Sequence, residues 1–393
     1  MRAVGIICEY NPFHMGHAYQ IAEIKKKYPG VPVVCALSGG FVQRGEPAMF
    51  SAYDRARAAV CAGADLCVLL PFPYSAAPAE IFARAGVSLL SSVGCDVLAF
   101  GTEGDVLPRL SEIAGHLSSP EFSLALRTAA KAPENAGVGF PILREQVYVS
   151  LYGEDDLSVL HTPNNTLAAE YLRALPDTVT PLAVPRIGAG HDESTDGDIL
   201  SGSRIRELIR ENDPRAFASL PAPSADIFSS ALSSGHAVLS YEKAAPLLLY
   251  HYRNADTHSL SRFALPGGGL AGRLIRSSRE ASSVSDFFSL AETKKYTSAA
   301  VRRAAWFGFF GITEEELRTP PMVSLVLAGT KRGMSLLRET ETVFLSKPSS
   351  GHRLPPPQKE EFSRLLRAEA VWGSLALSPV SEADLLRMPP WVI

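Results

Sequence analysis

The chain has 393 residues, 46% of them hydrophobic and 20% charged, with a formal net charge of −3. Such a chain can bury a sizeable core in two or three domains, and its charge excludes a globally basic nucleic-acid binder, so any RNA site must be a local basic patch. No apolar run reaches membrane-spanning length and the opening residues lack the apolar stretch and cleavage site of a secretory signal, so a cytoplasmic protein with no membrane partner is expected.

Ala3 to Cys8 is a nearly continuous apolar run, the pattern of a strand buried on both faces of a parallel sheet. Asn11, Pro12 and Gly16 punctuate a turn, and a helical pattern then runs through Ala18–Ile24 to Lys27, with His14 and His17 in its first turn. Val31–Leu37 reads as a second strand ending at Ser38-Gly39-Gly40, and the polar loop Gln43-Arg44-Gly45-Glu46-Pro47 lies near the same end of the sheet. A helix over about 52–62, carrying Arg55 and Arg57 on a solvated face, is followed by a strand at 65–71. A further helix over about 77–91 precedes a strand at 97–100 that closes on Gly101. Residues 108–156 read as a helical insertion with a loop at 137–141. Asn164 or Asn165 caps the next helix, and a fifth strand spans 178–184. The loop Arg186–Asp192 and a helix opening near Ser201 or Ser203 complete the first half. Alternating strands and helices predict a parallel sheet with right-handed crossovers.

A proline-bearing stretch, 214–224, reads as a linker between a domain 1–215 and a mainly helical domain 225–393. Helices are predicted there over 244–252, 284–291, 298–310 and 358–376, with a flexible loop at Pro266–Gly269. The fold class is therefore α/β, a Rossmann-like parallel sheet followed by a mainly α-helical domain. The five cysteines are Cys8, Cys35, Cys61, Cys67 and Cys95, an odd number without C-x-x-C spacing, and are expected as buried free thiols.

A helix N-terminus with free N–H groups and two imidazoles on one face, His14 and His17, makes a phosphate site. Ser203 and Arg206, preceded by Ser201, supply a hydroxyl and a cation at a second helix start, which suits the β- and γ-phosphates of a nucleotide. Gly101, Asn164 and Arg186 stand at strand or helix ends where a nucleotide would lie. His191-Asp192 lacks further ligands at sensible spacing, so no metal site is expected. Lys294, Lys295 and Tyr296, with Arg302, Arg303 and Trp306, form the densest basic-aromatic cluster of the second half, the kind of surface that binds RNA.

His14-x-Gly16-His17 after a strand and opening a helix is the HxGH motif of the nucleotidylyltransferase superfamily, whose implied role is to hold ATP phosphates during attack on the α-phosphate. Gly5-Ile6-Ile7 with Glu9–His14, Gln43–Ala48, Gly63–Leu66, Phe100-Gly101, Pro163–Asn165 and Arg186 further resembles the bacterial tRNA(Met) cytidine acetate ligases, and the resemblance thins to Thr293–Thr297 and Arg302-Arg303 later in the chain. Departures are Gly202 where alanine is usual and Gly269-Leu270-Ala271-Gly272-Arg273 where Gly-Leu-Glu-Asn-Arg is expected. The resemblance implies an enzyme that joins acetate to AMP using ATP, with Mg²⁺ expected to help, and acetylates N4 of the wobble cytidine of elongator tRNA(Met). It implies an ATP site made of Ile7, Cys8, Glu9, Tyr10, Asn11, Pro12, Phe13, His14, Met15, Gly16, His17, Ala18, Tyr19 and Gln20 with Gly101, Asn164 and Arg186. His14, His17, Ser203 and Arg206 are the candidate catalytic residues, and Lys294, Lys295, Arg302 and Arg303 the candidate tRNA contacts. The alternatives are a nucleotidylyltransferase acting on a small phosphorylated metabolite and a non-catalytic RNA-binding relative.

Overall fold

The structure is a computed structural model that describes residues 1–135, 137–153, 157–186, 199–267, 269–338 and 340–393. The expected loop residues 187–192, including His191 and Asp192, and Gly268 of the glycine loop lie outside the described residues.

The apolar runs form β1 (Val4–Cys8), β2 (Val33–Ser38), β3 (Leu66–Leu70), β4 (Val97–Thr102) and β5 (Thr180–Pro185), all parallel and hydrogen-bonded in the order β5-β4-β1-β2-β3. Both faces of β1 are covered: Val4, Ile6 and Cys8 enter one core and Ala3 and Ile7 another, which is why the strand reads as continuously apolar. Helices α1 (Met15–Lys27), α2 (Ala52–Cys61) and α3 (Ala79–Val93) make the crossovers. The insertion is helical as expected, α4 (Leu107–Ser118), α5 (Pro120–Lys131) and α6 (Phe140–Tyr152), with a small core of its own around Ile113, Phe122 and Tyr148. Then come α7 (Pro163–Ala174) and α8 (Gly202–Arg210).

Several local expectations change. The cap of α7 is Thr162, whose hydroxyl accepts the Asn165 N–H; Asn164 and Asn165 sit inside the first turn with their amides turned to Glu103. The cap of α8 is Ser201. Arg55 is fully buried rather than solvated, whereas Arg57 is exposed and lies over the Trp391 ring. Four of the cysteines are buried and free, but Cys61 is exposed. The stretch read as a linker holds a helical turn, Arg215–Ala218, and the start of a helix, Ala222–Ser233, whose Phe228 stacks on Phe50 at 4.6 Å.

The second half is mainly helical, with helices at Ala245–Asn254, Val284–Ala291, Ser298–Phe310 and Gln358–Leu375 close to the expected positions. It also returns three strands to the sheet. β6 (Val323–Gly329) runs antiparallel beside β3, covering an edge that would otherwise expose a row of unpaired backbone groups, and β7 (Val343–Leu345) and β8 (Trp391–Val392) pair with β6. Among the described residues no helix is long and apolar enough to cross a membrane.

Candidate active site

The chain order reverses between β1 and β4, and a cavity of about 570 Å³ opens beyond their carboxyl ends. Open α/β sheets bind ligands at such a switch point. The two expected helix starts meet there. His14 caps α1: its Nδ1 accepts the Gly16 N–H at 3.1 Å, and His17 Nδ1 accepts the His14 N–H at 3.2 Å. Each Nδ1 is thus an acceptor, and each neutral ring carries its hydrogen on Nε2. The rings lie 3.8 Å apart and both line the cavity. Burial, aided by the Arg186 and Arg206 guanidiniums, holds His14 down to about 3, and burial with His14 and Arg186 pushes His17 well below its ordinary range. At pH 7 the pair offers Nε2–H donors without charge.

Because the folded pKa of His14 is lowered, the unfolded chain takes up the proton first as the pH falls below 6.5. His14 therefore costs folding stability between pH 6.5 and about 3. A His14→Gln variant is expected to lose less stability than the parent on going from pH 6.5 to about 4.5, read as urea midpoints; equal losses would mean that His14 titrates normally.

α8 brings the second start against the first. Arg206 donates to the Asn11 carbonyl at 2.7 Å and to Ser203 Oγ at 3.2 Å, so its guanidinium bridges the turn before α1 and the first turn of α8. Gly202 packs so closely that an added Cβ would lie 3.3 Å from the Asn11 carbonyl oxygen and 3.6 Å from His14 Cδ2. Two helix N-termini, two imidazole donors, a hydroxyl and a guanidinium then face one space, an arrangement suited to a polyphosphate.

The opposite wall is built on Glu103. One carboxylate oxygen accepts from Asn164 Nδ2 at 2.6 Å and from Arg186 at 3.0 Å, so both cavity-lining side chains are oriented by one acid. At Gly101 a Cβ would approach nothing nearer than Arg186 Cγ at 3.6 Å, so the missing side chain leaves room to the cavity.

The model of the HIGH nucleotidyl transferases matches residues 1–383. The tRNA(Met) cytidine acetate ligase of Lysinibacillus sphaericus is 31% identical over 86% of this chain and 86% of its own length. That of Caldanaerobacter subterraneus is 32% identical over 88% and 89%. The chain belongs to this ligase family. The fold agrees: a crystal structure of Thermotoga maritima TmcAL without ligand covers all of both chains with a TM-score of 0.90 at 24% identity, and one bound with alpha-thio ATP gives 0.87.

Within this family member, the cavity is lined by Ile7, Cys8, Glu9, Tyr10 and Asn11 from the end of β1 and the turn, and by His14, Gly16, His17, Tyr19 and Gln20 from α1. Pro12, Phe13, Met15 and Ala18 do not line it; Phe13 is fully buried under the turn and Met15 points to solvent. Tyr10 is buried with a left-handed φ of 47°, the kind of backbone strain that surrounding structure must hold in place. Glu9 enters the cavity with its carboxyl pushed up by burial, against the Gln43 N–H and the charges of Arg206, Arg55 and Arg44. Sequence reasoning missed His161 and Tyr171, which also line the cavity, and left Gln43, Arg44 and Glu46 without a role. The polar start of α7 pointed to the region of His161, but no local pattern marks Tyr171 as different from a core tyrosine.

The basic-aromatic cluster is divided. Trp306 is a core residue and Tyr296 is buried with its hydroxyl donating to the Gly267 carbonyl. Lys294 is exposed and Lys295 lies 5.7 Å from the Tyr296 ring. Arg302 and Arg303 turn instead to the Gln43–Glu46 loop.

Proposed function

We propose that the protein activates acetate with ATP and transfers the acetyl group to N4 of the wobble cytidine of elongator tRNA(Met), in the cytoplasm. A carboxylate oxygen of acetate attacks the α-phosphorus, the bond to the bridging oxygen breaks, and pyrophosphate leaves; cytidine N4 then attacks the acetyl carbon, and AMP leaves as N4 loses a proton. Acetate is already ionised, so the first step needs no strong base. What it needs is positioning and charge stabilisation. The carrying observation is the meeting of the α1 and α8 starts, with His14, His17, Ser203 and Arg206 in one cavity at the switch point. The relatives' names supply the substrates.

No group of three His, Cys, Asp or Glu among the described residues is arranged to hold a metal ion. Mg²⁺ would therefore come as the counter-ion of the ATP phosphates, which usually keep it largely hydrated, and no step here is routed through it.

Acetate-dependent ATP–pyrophosphate exchange tests the reading, followed by acetylation of the tRNA. Exchange with a phosphorylated metabolite but not acetate would favour the metabolite enzyme, and no exchange at all the RNA-binding relative.

We assign nucleotide chemistry to residues 1–215 and RNA recognition to 225–393; every cavity-lining residue lies at or before Arg206, which supports the first part. Lys294 and Lys295 are the proposed phosphate contacts. Replacing both by alanine is expected to weaken tRNA binding and flatten its log–log salt slope by roughly 1.5–2, since each lost phosphate contact releases fewer counterions. Exchange should be unaffected. Unchanged tRNA affinity across salt would move the RNA site elsewhere.

A further inference from the structure

Residues Phe41–Pro47 form a tight hairpin: Phe41 bridges Pro47, the Val42 N–H donates to the Glu46 carbonyl at 2.9 Å, and the Gly45 N–H donates to the Val42 carbonyl at 2.8 Å. Those bonds close the hairpin on itself but do not fix where it sits. Its placement comes from one helix in the second half of the chain, Ser298–Phe310. Arg303 donates to the Gln43 carbonyl at 3.3 Å, Arg302 Nε to the Arg44 carbonyl at 3.1 Å, and Trp306 Nε1 to the Gly45 carbonyl at 3.1 Å. Three consecutive carbonyls are each held by a side chain from more than 250 positions away. Arg302 also pairs with Glu46 at 3.2 Å, and its remaining nitrogen donates to Ser298 Oγ at 2.6 Å. Trp306 packs on Phe41 with ring centroids 4.7 Å apart. Gly45, at φ +73°, lies so close that a Cβ would be 2.7 Å from the Arg303 amide nitrogen.

The hairpin is one wall of the nucleotide cavity, contributing Gln43, Arg44 and Glu46. Its Gln43 N–H donates to Glu9 Oε1 at 2.8 Å, which orients that carboxylate at the end of β1. The chain of contacts therefore runs from the helix to the hairpin and from the hairpin to Glu9.

We propose that Arg302, Arg303 and Trp306 are positioning residues for acetate activation: they set the hairpin over the nucleotide and through it place Glu9 and the Arg44 side chain. This extends the proposed function and gives the two arginines a role other than binding tRNA phosphate. Burial brings Arg303 down to about 10, in keeping with a guanidinium committed to the protein interior.

Arg302→Lys separates the roles, because it keeps the positive charge that a phosphate contact needs and loses the fork that reaches Arg44, Glu46 and Ser298 together. In the full chain it is expected to lower kcat/KM for acetate-dependent exchange by roughly 10- to 100-fold, the effect of a small misplacement of reacting groups. The salt slope of tRNA binding should not change. Trp306→Phe, which keeps the packing and removes the donor to Gly45, should act in the same direction. The double variant Arg302→Lys with Glu46→Gln should cost no more than the worse single, because both break one contact. Wild-type exchange in Arg302→Lys and Trp306→Phe overturns the proposal. So does an Arg302→Ala variant that exchanges normally while its tRNA salt slope falls by about 0.9. If the parent itself shows no acetate-dependent exchange, the proposed function fails separately, and ATP affinity by calorimetry decides the positioning role: a drop in both Arg302→Lys and Trp306→Phe supports it and equal affinity overturns it.

Discussion

A His17→Ala variant is expected to lose acetate-dependent exchange by ~100- to 1,000-fold, or on the order of 2.7–4 kcal/mol, while remaining folded. The argument starts from a proton. His17 Nδ1 accepts the His14 N–H, so the neutral ring has its hydrogen on Nε2, in the cavity where the transferring phosphate would gather charge. A donor already fixed by a backbone hydrogen bond needs no reorganisation when that charge develops, which is what makes such donors effective. Alanine removes a second thing, the acceptor for the His14 N–H, and losing a helix cap typically costs ~1 kcal/mol of stability. His17→Asn distinguishes the two losses. Its side-chain oxygen offers an acceptor at the helix start without the Nε2–H, so it should recover stability in urea but not exchange. Exchange restored by asparagine would make His17 a cap and remove it from the chemistry, and full exchange by His17→Ala would do the same.

What the sequence made legible follows the range over which the physics acts. β1, the turn and α1 are local: an apolar run, turn residues and a helix start lie within Val4–Lys27. The same holds for Ser201 to Arg206, where cap, hydroxyl and guanidinium fall within one helical turn and a half. Arg55 was misread because the pattern around it is that of an ordinary helix face. What makes it interior is the arrival of the Glu9, Gly39 and Phe50 carbonyls from other segments. β6 carries a clear strand signal in Val323–Gly329, but nothing in it specifies antiparallel pairing with β3, set more than 250 residues earlier. Arg302 and Arg303 show the same limit at the site. Two adjacent arginines beside aromatics read as an RNA surface, and only the folded chain brings the Gln43–Glu46 carbonyls to them.

Arg55→Met is expected to destabilise the protein by about 3–5 kcal/mol, the range for removing one partner of a buried charged network. Arg55 is fully buried, and its guanidinium donates to the Phe50 carbonyl at 3.0 Å, the Glu9 carbonyl at 2.5 Å and the Gly39 carbonyl at 2.7 Å. Burial alone disfavours that charge and brings Arg55 down to about 10, with Glu369 and Glu9 acting against the shift. The desolvation cost suggests that an apolar side chain of similar size would be neutral or better, and for a pair replaced on both sides that is often so. Here the partners are backbone carbonyls and cannot be replaced. Methionine would leave three acceptors buried without donors, at about 1–3 kcal/mol each before relaxation, and would take the cation from beside two carboxylates. The unpaired acceptors therefore outweigh the relief of desolvation. Arg55→Lys should lie between methionine and the parent, since an ammonium keeps the charge but cannot span three carbonyls in the plane of a fork. The consequence reaches the site, because Glu9 and Gly39 mark the carboxyl ends of β1 and β2, where the cavity begins. A urea midpoint for Arg55→Met equal to that of the parent, at equal m-value, would show that water or a backbone shift satisfies those carbonyls and that Arg55 does not hold the strand ends together.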